Sequence, residues 1–247
     1  MMVPCDLHNH SCLSPCGSLE LSPALLSRLA KARGLGLVAL TDHNSALNTP
    51  AFAVCAEREG LAALYGMEAC STEEVHVLCL FDTPEAAMDF GGLLSGFIQH
   101  FPYDASRFGD QAVVDADDNI LDLPDYYLGA ALELGFAELC NLVSDRGGLV
   151  IPAHIDRPVY GALAQLGFLP RGNYAAVEAI RPLPSGASGG YTVITGSDAH
   201  YPEHVARRPF GLDLPEGWQH PDGRVKLGLV GDALTAGRVR LDRKSVV

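Results

Sequence analysis

"GLGLVALTDHN" occupies residues 34–44. Its apolar run, Leu37–Leu40, breaks off into Thr41, Asp42, His43 and Asn44. A short apolar run bounded by turn signals reads as a buried strand. The stretch therefore predicts a strand with polar groups gathered at its C-terminal end. The preceding Leu21–Arg33 reads as a helix: Ser22 is a candidate N-cap, Pro23 suits the first turn, and Leu25, Leu26 and Leu29 share a face. Gly34 closes it.

The same construction recurs in both directions. Met2–His8 reads as a strand ending in polar residues, and "LAALYGMEACS" (Leu61–Ser71) as one ending at Glu68. "EVHVLCLF" (Glu74–Phe81), "GGLVIPAH" (Gly147–His154), "AAVEAI", "YTVITGSDAH" and a final "GRVRL" complete the set. Helices are expected at Pro50–Glu59, Pro84–Phe97, Val159–Leu166 and Leu227–Ala236, with two helical patches in Tyr126–Arg146 broken at Gly135. Alternating strands and helices predict an α/β fold with a mainly parallel sheet or barrel. Such folds place chemistry at the C-terminal strand ends. Gln99–Leu123 has little pattern and reads as an excursion or lid, with room for a hairpin in "FGDQAVVDADDNIL". Asp115–Asn119 lacks the glycine and glutamate of a calcium loop and reads as a turn. No repeat or linker divides the chain, so a single domain over 1–247 is expected.

Composition bounds the function. The chain is 48% hydrophobic with a net charge of -13, so the basic footprint of a nucleic-acid binder is missing and long nucleic acid is not the expected partner. Seven cysteines form no framework pattern. Polar Asp6, His8, Asn9 and His10 stand where a signal peptide would be apolar. No apolar run reaches the ~18 residues of a membrane span. A cytoplasmic protein with reduced thiols is expected.

Six of the nine histidines fall at candidate strand ends: His8, His10, His43, His76, His154 and His200. Asp6, Asp42, Glu68 and Asp198 accompany them. A lone histidine is ordinarily a satisfied core or surface residue. Six at one end of a barrel, with carboxylates, suit metal ligation by neutral imidazole and bridging carboxylate. So many ligands imply two or three divalent ions, of zinc, manganese or iron. Clustered cations lower the pKa of bound water and stabilise attacking and leaving oxygens, which suits phosphate-ester hydrolysis.

"DLHNHS", "TDHN", "GMEACS…EVHVL", "PAH" and "TGSDAH" together resemble, in order and spacing, the motifs of the polymerase and histidinol phosphatase (PHP) superfamily. The resemblance implies a distorted seven-stranded β/α barrel with a multinuclear, often trinuclear, metal site. It implies His8, His10, Glu68 and Asp198 at a first metal, with Glu68 bridging to a second that also takes His76 and His154. His43 and His200 would bind a third. Asp6 and Asp42 would orient ligand imidazoles through hydrogen bonds, with strand-end capping as the other reading. The resemblance departs at the remaining ligand of the third metal. The family offers Asp or His there, five or six residues after the second motif histidine; this chain has Pro15 and Cys16. Cys16 as a thiolate ligand would favour zinc or iron; the alternative is an inert thiol beside a two-metal site. Cys5 and Cys12 read as packing.

Arg157, three residues after His154, is the candidate phosphate clamp, with a surface ion pair as its other reading. Arg207 and Arg208 read as solvated or ion-paired, and His204 as a surface residue. The implied activity is a metal-dependent phosphoesterase hydrolysing a small phosphomonoester or nucleotide-type substrate. The alternatives are a nuclease acting on short oligonucleotide ends and a non-catalytic metal-binding module. An amidohydrolase acting on C–N bonds fits the motif order poorly.

Overall fold

The structure is a computed structural model that describes residues 1–241. The expected domain ran to Val247, and residues 242–247 lie outside the described residues. The elements begin with β1 (Met2–Asp6), α1 (Pro23–Ala32), β2 (Leu37–His43), α2 (Thr49–Glu59), β3 (Ala62–Cys70), β4 (His76–Phe81) and α3 (Pro84–Ser95). The excursion holds α4 (Ala105–Phe108), β5 (Val113–Val114) and β6 (Ile120–Asp122). Then come α5 (Phe136–Asp145), β7 (Leu149–Pro152), α6 (Ala162–Gln165), β8 (Val177–Glu178), β9 (Val193–Ile194), β10 (Phe210–Asp213), α7 (Leu227–Thr235) and β11 (Val239–Leu241). Among the described residues no helix is long and apolar enough to cross a membrane.

A seven-stranded sheet in the order β11-β10-β1-β2-β3-β4-β7 curls into a half-barrel. β8 and β9 form a separate parallel pair. Two hydrogen bonds tie β7 to β8: Ala175 N to Val150 O (3.0 Å) and Ile155 N to Glu178 O (2.9 Å). A bridge between Asn9 and Ala199 ties the segment after β9 to that after β1. The distorted barrel is thus β1-β2-β3-β4-β7-β8-β9, with β10 and β11 continuing outward from β1.

Among the described strands only the β1–β2, β2–β3 and β8–β9 ladders are parallel; the expected mainly parallel sheet is mixed. β4 returns antiparallel to β3, pairing Cys70 with His76. The cause is length. Ser71–Val75 is a turn, and a parallel return needs a crossover of a dozen or more residues. The consequence is functional: His76 starts its strand at the end where Glu68 finishes its own.

The pleat decides which residues enter the barrel. Leu37 and Ala39 of β2, Ala62 and Leu64 of β3, Leu78 and Leu80 of β4, and Ile151 of β7 share one interior cluster with Val3, Cys5 and Ile194. Residues of the other parity pack outward: Val38, Leu40 and Ala63 against Leu26 and Ala30 of α1 and Phe52 of α2, Met67 and Val77 against Phe90 of α3. Continuing the inner parity upward gives His43, Glu68 and His76. The alternation that fills the core therefore carries those three side chains into the mouth.

Helix α1 starts as the sequence suggests, with Ser22 Oγ accepting from Leu25 N at 3.2 Å. The helical patch expected at residues 126–135 is absent. Its backbone bonds go elsewhere: Leu132 N to Cys70 O (2.8 Å), Glu133 N to Phe97 O (2.8 Å), Leu128 N to the Gln111 side chain (2.7 Å). Tertiary partners override the local pattern. The helix expected at Val159–Leu166 shrinks to four residues of α6. Within the excursion, β5 and β6 form a short antiparallel pair. The buried Asn48 fastens it, donating to Ala112 O (3.0 Å) and accepting from Val114 N (2.9 Å).

Candidate metal centre

Glu68 lies at the centre, 1% exposed. Its Oε1 is 2.8 Å from His76 Nδ1, 2.9 Å from His154 Nε2 and 3.2 Å from His8 Nε2. Its Oε2 is 3.2 Å from His43 Nδ1 and 3.4 Å from His10 Nε2. Asp198 Oδ1 faces His10 Nε2 (3.3 Å), His200 Nδ1 (3.3 Å) and His8 Nε2 (3.4 Å). The structure thus brings together all six strand-end histidines, Glu68 and Asp198. Three groups have ligand atoms within 4.8 Å of one another: His8, His10, Glu68 and Asp198; His43, Glu68 and His76; His10, His43 and His200. The second group differs from the sequence reading, which sent His43 to the third metal alone. His43 turns Nδ1 toward Glu68 and Nε2 toward Cys16 Sγ, 3.2 Å away.

The backbone is strained here. His154, Asp198, Asn44 and Tyr160 have φ of 27°, 47°, 49° and 64°. These are four of the seven non-glycine residues with positive φ among the described residues. Each costs on the order of 1 kcal/mol or more and persists only where the surroundings enforce it.

Charge is balanced within the cluster. Burial alone would raise the Glu68 carboxyl, but the His76 and His8 rings hold it well below the usual range. Burial lowers His8, yet Glu178, Glu68 and Asp198 outweigh it and carry it well above normal. His10 is raised to about 9 in the same way, through Asp198 and Glu68. Burial keeps His43 and His76 low and takes His200 to about 4, so these rings offer free lone pairs. Asp198 Oδ1 and His76 Nδ1 are buried and make no well-directed hydrogen bond, although ring nitrogens and the Glu68 carboxylate lie close to them. Orphaned atoms aimed into a ring of nitrogen and oxygen donors fit bound cations.

Around the cluster stand residues with other tasks. Glu178 grips His8 Nδ1 at 2.9 and 3.2 Å. That turns His8 Nε2 to the centre. Sequence reasoning missed it; the only signal was a glutamate inside the apolar run "AAVEAI". Gly196 of "TGSDAH" makes the contact possible, since a Cβ there would lie 2.2 Å from Glu178 Oε2. Asp6, the residue expected to orient an imidazole, instead accepts from Ser197 N (3.1 Å). Burial lifts its carboxyl to about 6. Asp42 reaches an imidazole at one remove: it accepts from Ser14 Oγ (2.7 Å), and Ser14 Oγ meets His10 Nδ1 (2.9 Å).

Cys16 sits on the rim and keeps solvent contact. Lost hydration, then the Glu68 and Asp198 charges, push its thiol up to about 12. Ionisation there needs a cation beside it. Arg157 Nη1 pairs with Asp198 Oδ2 at 3.0 Å while the side chain stays 37% exposed. A cleft of about 370 Å3 opens over the cluster, walled by Tyr127, Arg157, Tyr160, Tyr201, His204 and Arg207. His204 and Arg207 therefore line the cleft, His204 half-buried and Arg207 still solvent-exposed. Arg207 Nε donates to Ser197 O at 2.7 Å. Arg33 holds the turn carrying His204 by donating to Pro202 O at 2.9 Å.

The family model of the PHP domain matches residues 6–160. No curated protein matches the chain. Among solved structures, the lesion-specific endonuclease Q from Pyrococcus furiosus superposes with a TM-score of 0.66 at 17% identity, covering 98% of this chain. The chain spans 58% of that endonuclease. A Bifidobacterium adolescentis protein described as a metal-dependent phosphoesterase gives 0.52 at 18% identity, over 79% of this chain and 87% of its own. An amidohydrolase from Chromobacterium violaceum gives 0.56 at 20%, over 96% and 97%. At these identities the likeness is one of fold.

Proposed function

The chain belongs to the PHP domain family, and on that premise we propose that it is a metal-dependent phosphoesterase acting on a small phosphomonoester or nucleotide-type substrate. The observation that carries the reading is the buried ring of six imidazoles around Glu68 and Asp198 at the floor of an open cleft. His8, His10, Glu68 and Asp198 would hold one ion. Glu68 would be shared with a second at His76 and His154, with His43 close to both. His200, His10 and His43, with Cys16 at the rim, would hold a third. Zinc and iron fit the thiolate; manganese fits the set without it. Divalent ions bound there supply acidified water and positive charge facing a phosphoryl transition state.

The chain's own groups complete the task. Arg157 orients Asp198 with one nitrogen and presents the rest of its guanidinium to phosphate oxygens. Arg207 adds positive charge on the same wall. His204 lies outside the cluster, so its imidazole is free to pass a proton to the departing oxygen. Tyr127 and Tyr160 narrow the approach. All seven cysteines are free thiols, consistent with a cytoplasmic setting. The fold likeness to an endonuclease supports a second reading, cleavage at short oligonucleotide ends, while the net charge of -13 weighs against long duplexes.

Elemental analysis with a panel of phosphomonoesters and short oligonucleotides tests the reading. At least two divalent ions per chain and metal-dependent phosphate release are expected. Fewer than two ions, or no hydrolysis with zinc, manganese or iron loaded, would sink it. His204→Asn should slow an alkyl phosphate about 10²-fold or more and leave p-nitrophenyl phosphate nearly untouched, because a good leaving group needs no acid. Equal losses on both would remove His204 from this role.

A further inference from the structure

The metal cleft does not end at the cluster. Tyr127, Gly129 and Tyr160 wall both the cleft and a second cavity of about 690 Å3 on the side of the excursion. Phe101 and Phe108 line that second cavity and are 52% and 41% exposed. Neither belongs to the buried core clusters. The Phe108 and Tyr127 rings lie 4.9 Å apart at 39°. Arg107 sets its guanidinium 5.7 Å from the Phe108 centroid, and Glu74 adds a carboxylate to the wall. Tyr160 stacks on His76 at 4.3 Å and 14°, so the aromatic wall runs directly onto a ring of the cluster.

The wall shared by the two cavities is held in place. A Cβ at Gly129 would lie 2.6 Å from the Tyr127 hydroxyl, so the missing side chain lets Tyr127 fold back along the wall. Asn44 donates to Leu128 O and Ala130 O, each at 2.7 Å. Gln111 donates to Tyr126 O at 2.8 Å and accepts from Leu128 N at 2.7 Å. The loop bearing Tyr127 is thereby fixed on both sides.

Aromatic rings, one with the Arg107 guanidinium over it, and a carboxylate in the same wall match a heteroaromatic ring, which stacks on its faces and hydrogen-bonds at its edge. An aliphatic body would use neither. The volume suits one small molecule, and a chain of charge -13 repels a polyphosphate backbone. We propose that this groove holds the planar heteroaromatic part of a phosphomonoester, in chemical class a nucleobase, while the phosphate lies at the histidine cluster. The proposal rests on the phosphoesterase reading above.

The test compares adenosine 5′-monophosphate with ribose 5-phosphate, which share the reacting phosphate and differ in the base. Metal-loaded full chain should favour the nucleotide by about 10-fold or more in kcat/KM. Phe108→Ala should remove most of that preference through KM, by about 5–50-fold for a lost stacking contact, and leave ribose 5-phosphate unchanged. Phe101→Ala, at a more exposed ring, is a second probe expected to act in the same direction. Calorimetric titration with adenosine alone reads the groove without chemistry: it should bind the wild type and weaken in Phe108→Ala. Equal kcat/KM for the two esters, or equal losses on both in the variants, would overturn the groove. Adenosine binding with neither ester hydrolysed would keep the groove and overturn the phosphoesterase reading. A clear preference for a single-stranded oligonucleotide over the mononucleotide would overturn the assignment to a small substrate.

Discussion

The barrel mouth and the excursion beside it hold their functional side chains by different means. At the mouth, His43, Glu68 and His76 are placed by strand register, two residues at a time, from the same parity that fills the interior. Beside it, Phe108 ends the short helix α4 and Tyr127 stands on the loop after the excursion; the buried amides of Asn44 and Asn48 tie these segments to the barrel, and Gln111 ties one segment to the other. Register is unforgiving: a one-residue slip turns every side chain to the other face. A loop held by amides tolerates changes of length between its anchors. The histidine–carboxylate cluster therefore sits where geometry is rigid, and the aromatic groove where the chain can vary.

Four variants would break or sharpen that contrast. Glu68→Gln should have the largest effect, because it removes the one charge that faces five rings. Activity should fall on the order of 10³-fold or more, with at least one ion lost by elemental analysis. Unchanged ion content would separate the mouth from metal binding altogether. Glu178→Gln should act on metal affinity alone, weakening it about 10–100-fold in a chelator competition. An unchanged affinity would mean that Gly196 and Glu178 merely pack. Asn48→Ala should do the opposite, costing about 1–2 kcal/mol of stability in denaturant titration. It should speed proteolysis within residues 99–123 at constant metal content; loss of metal would show that the two regions are not separable.

The smallest effect concerns pH in metal-stripped protein. His200 is depressed to about 4 by burial, so the folded state keeps it neutral below the ordinary imidazole range. Its contribution is present above the unfolded value of about 6.5 and lost as pH falls toward 4. His200→Asn should flatten the decline in stability between pH 7 and pH 5 by on the order of 1 kcal/mol. A slope identical to wild type would show that His200 is not shielded.

Much of the mouth was legible because a polar side chain at a strand end interrupts an apolar run. His8, His43, Glu68 and His154 each do so within a few residues. What the local pattern hid were relations across the chain. Glu178 lies 170 positions from His8, and nothing near either residue announces the contact. The antiparallel return of β4 was written in the five residues Ser71–Val75, too few for a crossover, yet a general strand–helix rhythm suggested otherwise. Residues 126–135 carried helical spacing that hydrogen bonds to Cys70, Phe97 and Gln111 overruled. His204 looked like surface because its position depends on a turn pinned by Arg33, far away in sequence.

The β3–β4 hairpin has a consequence for how the site comes to exist. Glu68 and His76 stand eight positions apart and are joined by a short turn, so the chain entropy lost in bringing them together is small. His8 and Asp198, 190 positions apart, meet only when the barrel closes. The carboxylate at the heart of the site and its nearest imidazole are thus brought together at a lower entropic cost than the two ends of the barrel. A cation bound across the closed mouth would favour the closed barrel over the open one, making the ion a partner in assembly as well.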